Sequence, residues 1–191
     1  MAVFCGSSTG FSKEYRNSAA ALGRHLAEAG IGMVYGGGKI GLMGVIADEV
    51  IARGGEVIGV IPGLLRHEEV AHTNLERMIV TRKMSKRKVK ISKLVDGYIA
   101  LPGGFGTLDE VFEALTLGQL GIESKPVGLL NVRNYFDHSI KQLDHMVQEG
   151  FLRKENRDML LVSQSCDDLL GQMSAYEAPL VSKVLPSKTG S

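Results

Sequence analysis

Two stretches of this 191-residue chain carry residues whose types and spacing suit work on an anion. One is Pro102-Gly103-Gly104-Phe105-Gly106-Thr107-Leu108-Asp109-Glu110, and the other is the pair Arg87-Lys88 within the basic run from Arg77 to Lys93. Glycine lets a ligand approach the backbone closely, and the free N–H groups opening a following helix favour a phosphate. A carboxylate beside such a turn repels the phosphate itself. Glu110 has a task there only if it serves a neighbouring sugar carbon instead. Thr107 and Glu110 also have the spacing of a capping box, with Thr107 as N-cap, which would explain both without chemistry.

The cations need partners. If 84–94 is a helix, Met84, Ile91 and Leu94 share a face, and Arg87 and Lys88 fall among them. Cations turned inward require a carboxylate, a helix C-terminus or a bound phosphate, unless only their stems lie along apolar surface. Lys83, Lys86, Lys90 and Lys93 read as solvent contacts. Eight bases and no acid lie between Arg77 and Lys93, whereas the rest of the chain holds 14 bases against 21 acids. The positive field is local and draws anions.

Two more glycine turns follow apolar runs, Cys5-Gly6-Ser7-Ser8 and Tyr35-Gly36-Gly37-Gly38-Lys39-Ile40-Gly41-Leu42-Met43-Gly44. The second matches G-x-G-x-x-G, but a dinucleotide fold would need an acid closing the next strand, and that strand ends Val60-Ile61-Pro62. No G-x-x-x-x-G-K-[ST] occurs either, which sets aside a P-loop enzyme.

These turns must be positioned by strands and helices. Short apolar runs at Val3 to Cys5, Met33 to Tyr35, Val57 to Ile61, Met78 to Val80, Tyr98 to Leu101 and Val127 to Leu130 read as strands. Tyr15, Ala19, Leu22 and Leu26 form a helical stripe stopping at Gly30, and Met43, Ile46, Ala47 and Val50 form another stopping near Gly54. Val111, Phe112 and Leu115 suggest a further helix, as does the region from Leu143 to Val147. The alternation predicts an α/β fold, a Rossmann-like doubly wound parallel sheet with all three glycine turns on one sheet edge. Residues 1–178 form one domain in this reading, and 179–191, small, polar and proline-bearing, a loose tail.

Composition bounds the rest. With 44% apolar and 23% charged residues, the chain can bury a core and is not broadly disordered. Cys5 and Cys166 offer neither a disulfide scaffold nor paired zinc spacing, so a reducing cytoplasm is the expectation. The opening residues show no basic or apolar signal-peptide pattern and no apolar run reaches membrane length, so neither secretion nor membrane insertion is expected. The five histidines form no ligand motif, so no metal is expected. The basic run would suit nucleic acid, but only 6% aromatic residues and no binding motif weigh against it.

Taken together, Tyr35-Gly36-Gly37-Gly38 with Gly41-Leu42-Met43-Gly44, Met84 before Arg87-Lys88, and the run from Pro102 to Glu110 closely resemble the LOG family of cytokinin-activating phosphoribohydrolases. The resemblance runs from about Val3 to Tyr176. Members often carry the label "possible lysine decarboxylase", but nothing here independently suggests a pyridoxal-phosphate lysine. The resemblance implies a cofactor-free homodimer that cleaves the N-glycosidic bond of N6-modified adenosine 5′-monophosphates, releasing free base and ribose 5-phosphate. It makes Arg87 and Glu110 the catalytic pair. Lys88, the turn Gly103, Gly104, Phe105, Gly106 and Thr107, and also Glu69 and Thr116, match nucleotide-binding positions, while Gly36, Gly37, Gly38, Met43 and Met84 line the same pocket. Plain AMP is the alternative substrate, and a non-catalytic nucleotide or cofactor carrier the alternative class.

Overall fold

A computed structural model describes residues 1–66 and 71–179 of the chain. Glu69 lies outside the described residues, as does nearly all of the expected tail.

Seven parallel strands form one sheet in the order β4-β3-β2-β1-β5-β6-β7: β1 Ala2–Phe4, β2 Met33–Tyr35, β3 Val57–Pro62, β4 Arg77–Thr81, β5 Tyr98–Ala100, β6 Val127–Leu130 and β7 Leu160–Ser163. The helices are α1 Lys13–Glu28, α2 Gly41–Ala52, α3 Gly63–Arg66, α4 Met84–Ser92, α5 Phe105–Gln119, α6 Asp137–Gln148, α7 Lys154–Arg157 and α8 Cys166–Ser174. Side chains along a strand alternate between faces, so β5 sends Tyr98 and Ala100 to one layer and Ile99 to the other. Ala19, Leu22 and Leu26 of α1, Ile46 and Val50 of α2, and Leu169 and Met173 of α8 cover one face. Ile91 of α4, Val111 and Ala114 of α5, and Leu143 of α6 cover the other. The sheet is doubly wound, as the alternation of runs predicts.

β7, α8 and the one-turn helices α3 and α7 go beyond the six expected strands and five helices. Leu160–Ser163 is short and lies at the sheet edge, so periodicity has little length to act on. Ser165 N-caps α8, its hydroxyl accepting from Asp168 N–H.

The capping box is corrected. Gly104 is the N-cap of α5 and makes no side-chain cap bond, which places Thr107 inside the first turn. Thr107 is buried there. Its hydroxyl fits where a Cβ on Gly103 would stand, 2.1 Å away, and that position is also 2.8 Å from Gly6 N. The chain can tuck Thr107 under the turn only because residue 103 has no side chain, so Thr107 and Glu110 are not engaged in capping.

Candidate active site at the glycine turns

Because β2, β1 and β5 are neighbours, the three glycine turns converge beyond their carboxyl ends. Gly6 N–H donates to Pro102 O at 3.0 Å, and Leu42 N–H donates to Gly6 O at 3.1 Å. Gly41, at φ +65°, allows this contact, since a Cβ there would fall 2.2 Å from the Ser7 carbonyl carbon. Between the first and third turns lies a crevice of about 350 Å³ lined by Gly6 to Gly10, Tyr15, Leu42, Pro102 to Gly104 and Tyr135. Tyr135 donates its hydroxyl to Gly103 O at 2.6 Å and packs edge-on to Tyr15. Its place, a long sequence separation from the turn it braces, leaves no local signal to find it by.

Leu108 N–H bonds back to Gly104 O, so the amides of Phe105, Gly106 and Thr107 are the first-turn donors left without a helical partner. A Cβ at Gly104 or Gly106 would meet nothing within 4 Å. The backbone is thus bare on its open side, the arrangement that an incoming anion needs. Phe105 is 94% exposed and offers the site its backbone only.

Arg87 reaches this region from α4. Its Nε donates to Val60 O at 3.0 Å, its Nη1 to Met84 Sδ at 3.4 Å, and its Nη2 lies 3.0 Å from Glu110 Oε1. The two charged side chains are 14% and 11% exposed. Glu110 Oε1 is buried without a hydrogen bond, so its contact with Arg87 is an ion pair lacking hydrogen-bond alignment. Burial raises the Glu110 carboxyl above the ordinary glutamate range, while the charges of Arg87 and Lys88 pull it back. Burial, then the charge on Glu110, also pushes the Cys5 thiol far up.

The middle turn forms the other wall. A Cβ on Gly36 would stand 2.7 Å from Arg87 Nη2 and 3.6 Å from Met43 Sδ, and Gly37, at φ +76°, turns toward Met78. The fold therefore gathers Arg87, Glu110, Gly36, Met43 and Met84 around one centre beside the turn from Gly103 to Thr107. Two expected residues stand apart. Lys88 Nζ is held by Asp109 at 2.7 Å and Glu113 at 2.6 Å. Burial lowers its pKa, but these two carboxylates raise it by more, and they give Asp109 and Glu113 a partner instead of plain solvent. Thr116 is exposed about 9 Å farther along α5 than Glu110, at 1.5 Å per residue, and its hydroxyl donates to Phe112 O. In a single chain it does not reach the centre.

Below Glu110, a groove of about 580 Å³ separates α4 from α5, with Phe4, Ile91, Ala114 and Leu117 among its walls. At its far end Glu123 accepts from Ser92 and Tyr98 and meets Lys125, which also donates to Ser92 O. Polar ties thus flank the groove, Lys88 to Asp109 and Glu113 joining α4 to α5 and Ser92 to Glu123 and Lys125 joining α4 to the segment after α5.

A family model described as "Possible lysine decarboxylase" matches residues 43–173. Over 187 residues the chain is 41% identical to cytokinin riboside 5′-monophosphate phosphoribohydrolase LOG1 of Arabidopsis thaliana, covering 98% of this chain and 87% of the relative. The chain belongs to the LOG phosphoribohydrolase family. The probable LOGL5 enzyme of Oryza sativa subsp. japonica is 43% identical over 93% of this chain and 72% of its own length. LOG7 of Arabidopsis thaliana is 41% identical over 92% and 81%. Among solved structures, the molybdenum cofactor carrier protein of Chlamydomonas reinhardtii superimposes with a TM-score of 0.67 at 22% identity, covering 92% of this chain and 97% of that one. The molybdenum cofactor binding protein of Rippkaea orientalis gives 0.66 at 22%, covering 91% and 94%. At that identity these two speak for the fold alone. This LOG chain thus shares its fold with these two proteins and 41 to 43% of its aligned residues with the phosphoribohydrolases.

Proposed function

We propose that this LOG protein hydrolyses N6-modified adenosine 5′-monophosphates, and also AMP, to free base and ribose 5-phosphate. The observation that carries the reading is the Arg87–Glu110 pair, 3.0 Å apart and largely buried beside a first helical turn with unpartnered amides. In this reading the amides of Phe105, Gly106 and Thr107 take the 5′-phosphate, which sets C1′ near Glu110. The bond from C1′ to the base nitrogen breaks through an oxocarbenium-like state, and the ionised Glu110 carboxylate stabilises that cation and orients the water. The water oxygen bonds to C1′ while its proton passes to the departing base. Arg87 keeps Glu110 ionised and aimed, and its position over Gly36 brings it to the nucleotide. Glu69 and Lys88 remain nucleotide-binding candidates by motif position.

The working unit in this proposal is a cytoplasmic homodimer built on the α4–α5 face. Phe112 of α5 and Leu120 at its C-cap, with Thr116 between them, form an exposed stripe, and Val89 and Ile122 expose apolar surface beside it. Exposed apolar surface clustered in this way suits a second copy. The role carried over for Thr116 requires that face to meet the partner's site. Among the described residues no helix is long and apolar enough to cross a membrane.

Incubation with AMP and isopentenyl-AMP side by side, followed by separation of base and ribose 5-phosphate, tests the activity. Release of both products from at least one substrate is expected. Tight nucleotide binding with no product would favour the carrier class whose fold the chain shares.

A further inference from the structure

His72 is the one histidine with a buried side chain among the described residues, 4% exposed, and the proposed reaction gives it no task. Its ring is engaged at both nitrogens. The Asn74 backbone N–H donates to Nδ1 at 3.2 Å, which requires Nδ1 to be without a proton. The proton is therefore assigned to Nε2, which lies 3.1 Å from Asp48 Oδ1 on α2 and donates to it. The His72 backbone N–H donates to Gly37 O at 2.8 Å, and Ala71 forms an antiparallel bridge with Gly38. Segment 71–74 is thus stapled across the middle glycine turn, from Gly37 and Gly38 to the helix that follows them.

That turn needs an external tie. Gly36, Gly37 and Gly38 have no side chains with which to anchor themselves, and glycine loses more backbone freedom on ordering than any other residue. On its inner side the turn meets Arg87, whose Nη2 would be 2.7 Å from a Cβ on Gly36. The guanidinium thus fills the space that a side chain at residue 36 would need, and displacement of the turn in that direction meets it.

We propose that His72 is a positioning residue that fixes the Gly36 to Gly38 turn as the bed of Arg87, and through it the Arg87–Glu110 pair. Its activity readout rests on the phosphoribohydrolase reading, so a second readout is chosen that does not. The Arg87 Nε–H donates to Val60 O, and its ¹⁵N-edited NMR signal and exchange with water report the guanidinium without any substrate.

The comparison uses wild type, His72→Ala, His72→Asn, His72→Gln and, as control, the exposed His138→Ala on α6. Asn at 72 can still accept the Asn74 N–H in an Asx turn while losing Asp48, and Gln can reach Asp48 while losing the Asn74 bond. In His72→Ala the Arg87 signal is expected to shift and exchange faster, and kcat on isopentenyl-AMP to fall by about tenfold or more. His72→Gln, which keeps the tie to Asp48 on α2, should regain most of both, and His72→Asn, which keeps only the local bond, little, at similar melting temperatures. An unchanged Arg87 signal in folded His72→Ala overturns the proposal whatever the activity. If His72→Ala does not fold, Asn and Gln decide: a wild-type signal in Gln alone supports the proposal, and equal signals in both overturn it. Wild type that leaves isopentenyl-AMP intact defeats the phosphoribohydrolase reading alone, since the Arg87 signal still reads the staple.

Discussion

Glu110 Oε1 and Arg87 Nη2 stand 3.0 Å apart across the gap between α5 and α4, and the carboxylate oxygen has no hydrogen-bond donor besides this ion pair. A buried carboxylate left under-satisfied in the free protein retains its capacity to stabilise charge that appears only during reaction. The same relationship removes the capping explanation of Glu110, because Gly104 opens the helix.

Glu110→Gln therefore separates charge from shape. The variant should fold and bind AMP, with base release reduced by about two to three orders of magnitude, the effect of losing one charge-stabilising group in comparable sites. Its melting temperature should stay within about 4 °C of wild type, because losing the partner of Arg87 is offset by removing a desolvated carboxylate. Near-normal base release would take Glu110 out of the mechanism.

The raised Glu110 pKa gives a pH dependence with a definite sign. Activity needs the carboxylate ionised, so the acid limb of kcat/KM should lie above the ordinary glutamate value of about 4.3. Arg87→Ala removes a charge that holds the carboxyl down and should move whatever limb remains to higher pH. In stability the sign is opposite. The folded state holds this proton more tightly than the unfolded chain, so Glu110's contribution is present below the unfolded pKa and lost as pH rises through the folded one. A limb at or below the glutamate value would contradict the burial argument.

Sedimentation at micromolar concentration should give about twice the 20.6 kDa chain mass. Phe112→Asp, on the exposed α5 stripe, should yield a monomer with its fold intact, since Phe112 is not among the buried core residues. A dimer unaffected by Phe112→Asp would move the interface elsewhere.

Much of this fold was legible because parallel strands buried on both faces read as short Val- and Ile-rich runs, and glycines mark where each turns into a helix. The inward placement of Arg87 followed from its position one turn before the buried Ile91, whereas Met84, read on the same face, is exposed. Other parts left no mark. Thr107 and Glu110 satisfy a capping pattern that the glycines before them preempt, because Gly104 starts the helix three residues early. Lys88 and Arg87 read alike in sequence, yet one is clasped by Asp109 and Glu113 and the other faces Glu110, a choice made by side-chain packing across two helices. Tyr135 and His72 brace glycine turns from distant segments, and only the assembled sheet edge brings them there.

The glycines of the third turn offer the sharpest test of its purpose, because they differ in what surrounds them. A methyl at Gly103 would strike Thr107 Oγ1 at 2.1 Å and approach Gly6 N at 2.8 Å, both fixed in the crossing of two turns. Gly103→Ala should therefore cost stability, on the order of 1 to 3 kcal/mol as for other overpacked sites, and damage the turn itself. A methyl at Gly104 or Gly106 would meet nothing within 4 Å in the free protein. If these positions were glycine only to make a tight turn, alanine there would be nearly silent, since neither residue has a positive φ. If the bare backbone is where phosphate docks, Gly104→Ala and Gly106→Ala should keep the wild-type melting temperature and yet weaken AMP binding by about tenfold or more, the methyl standing where the phosphate oxygens must approach. Calorimetric titration with AMP beside thermal melts of all three variants reads both quantities. Full AMP affinity in Gly104→Ala and Gly106→Ala would remove the phosphate from this turn.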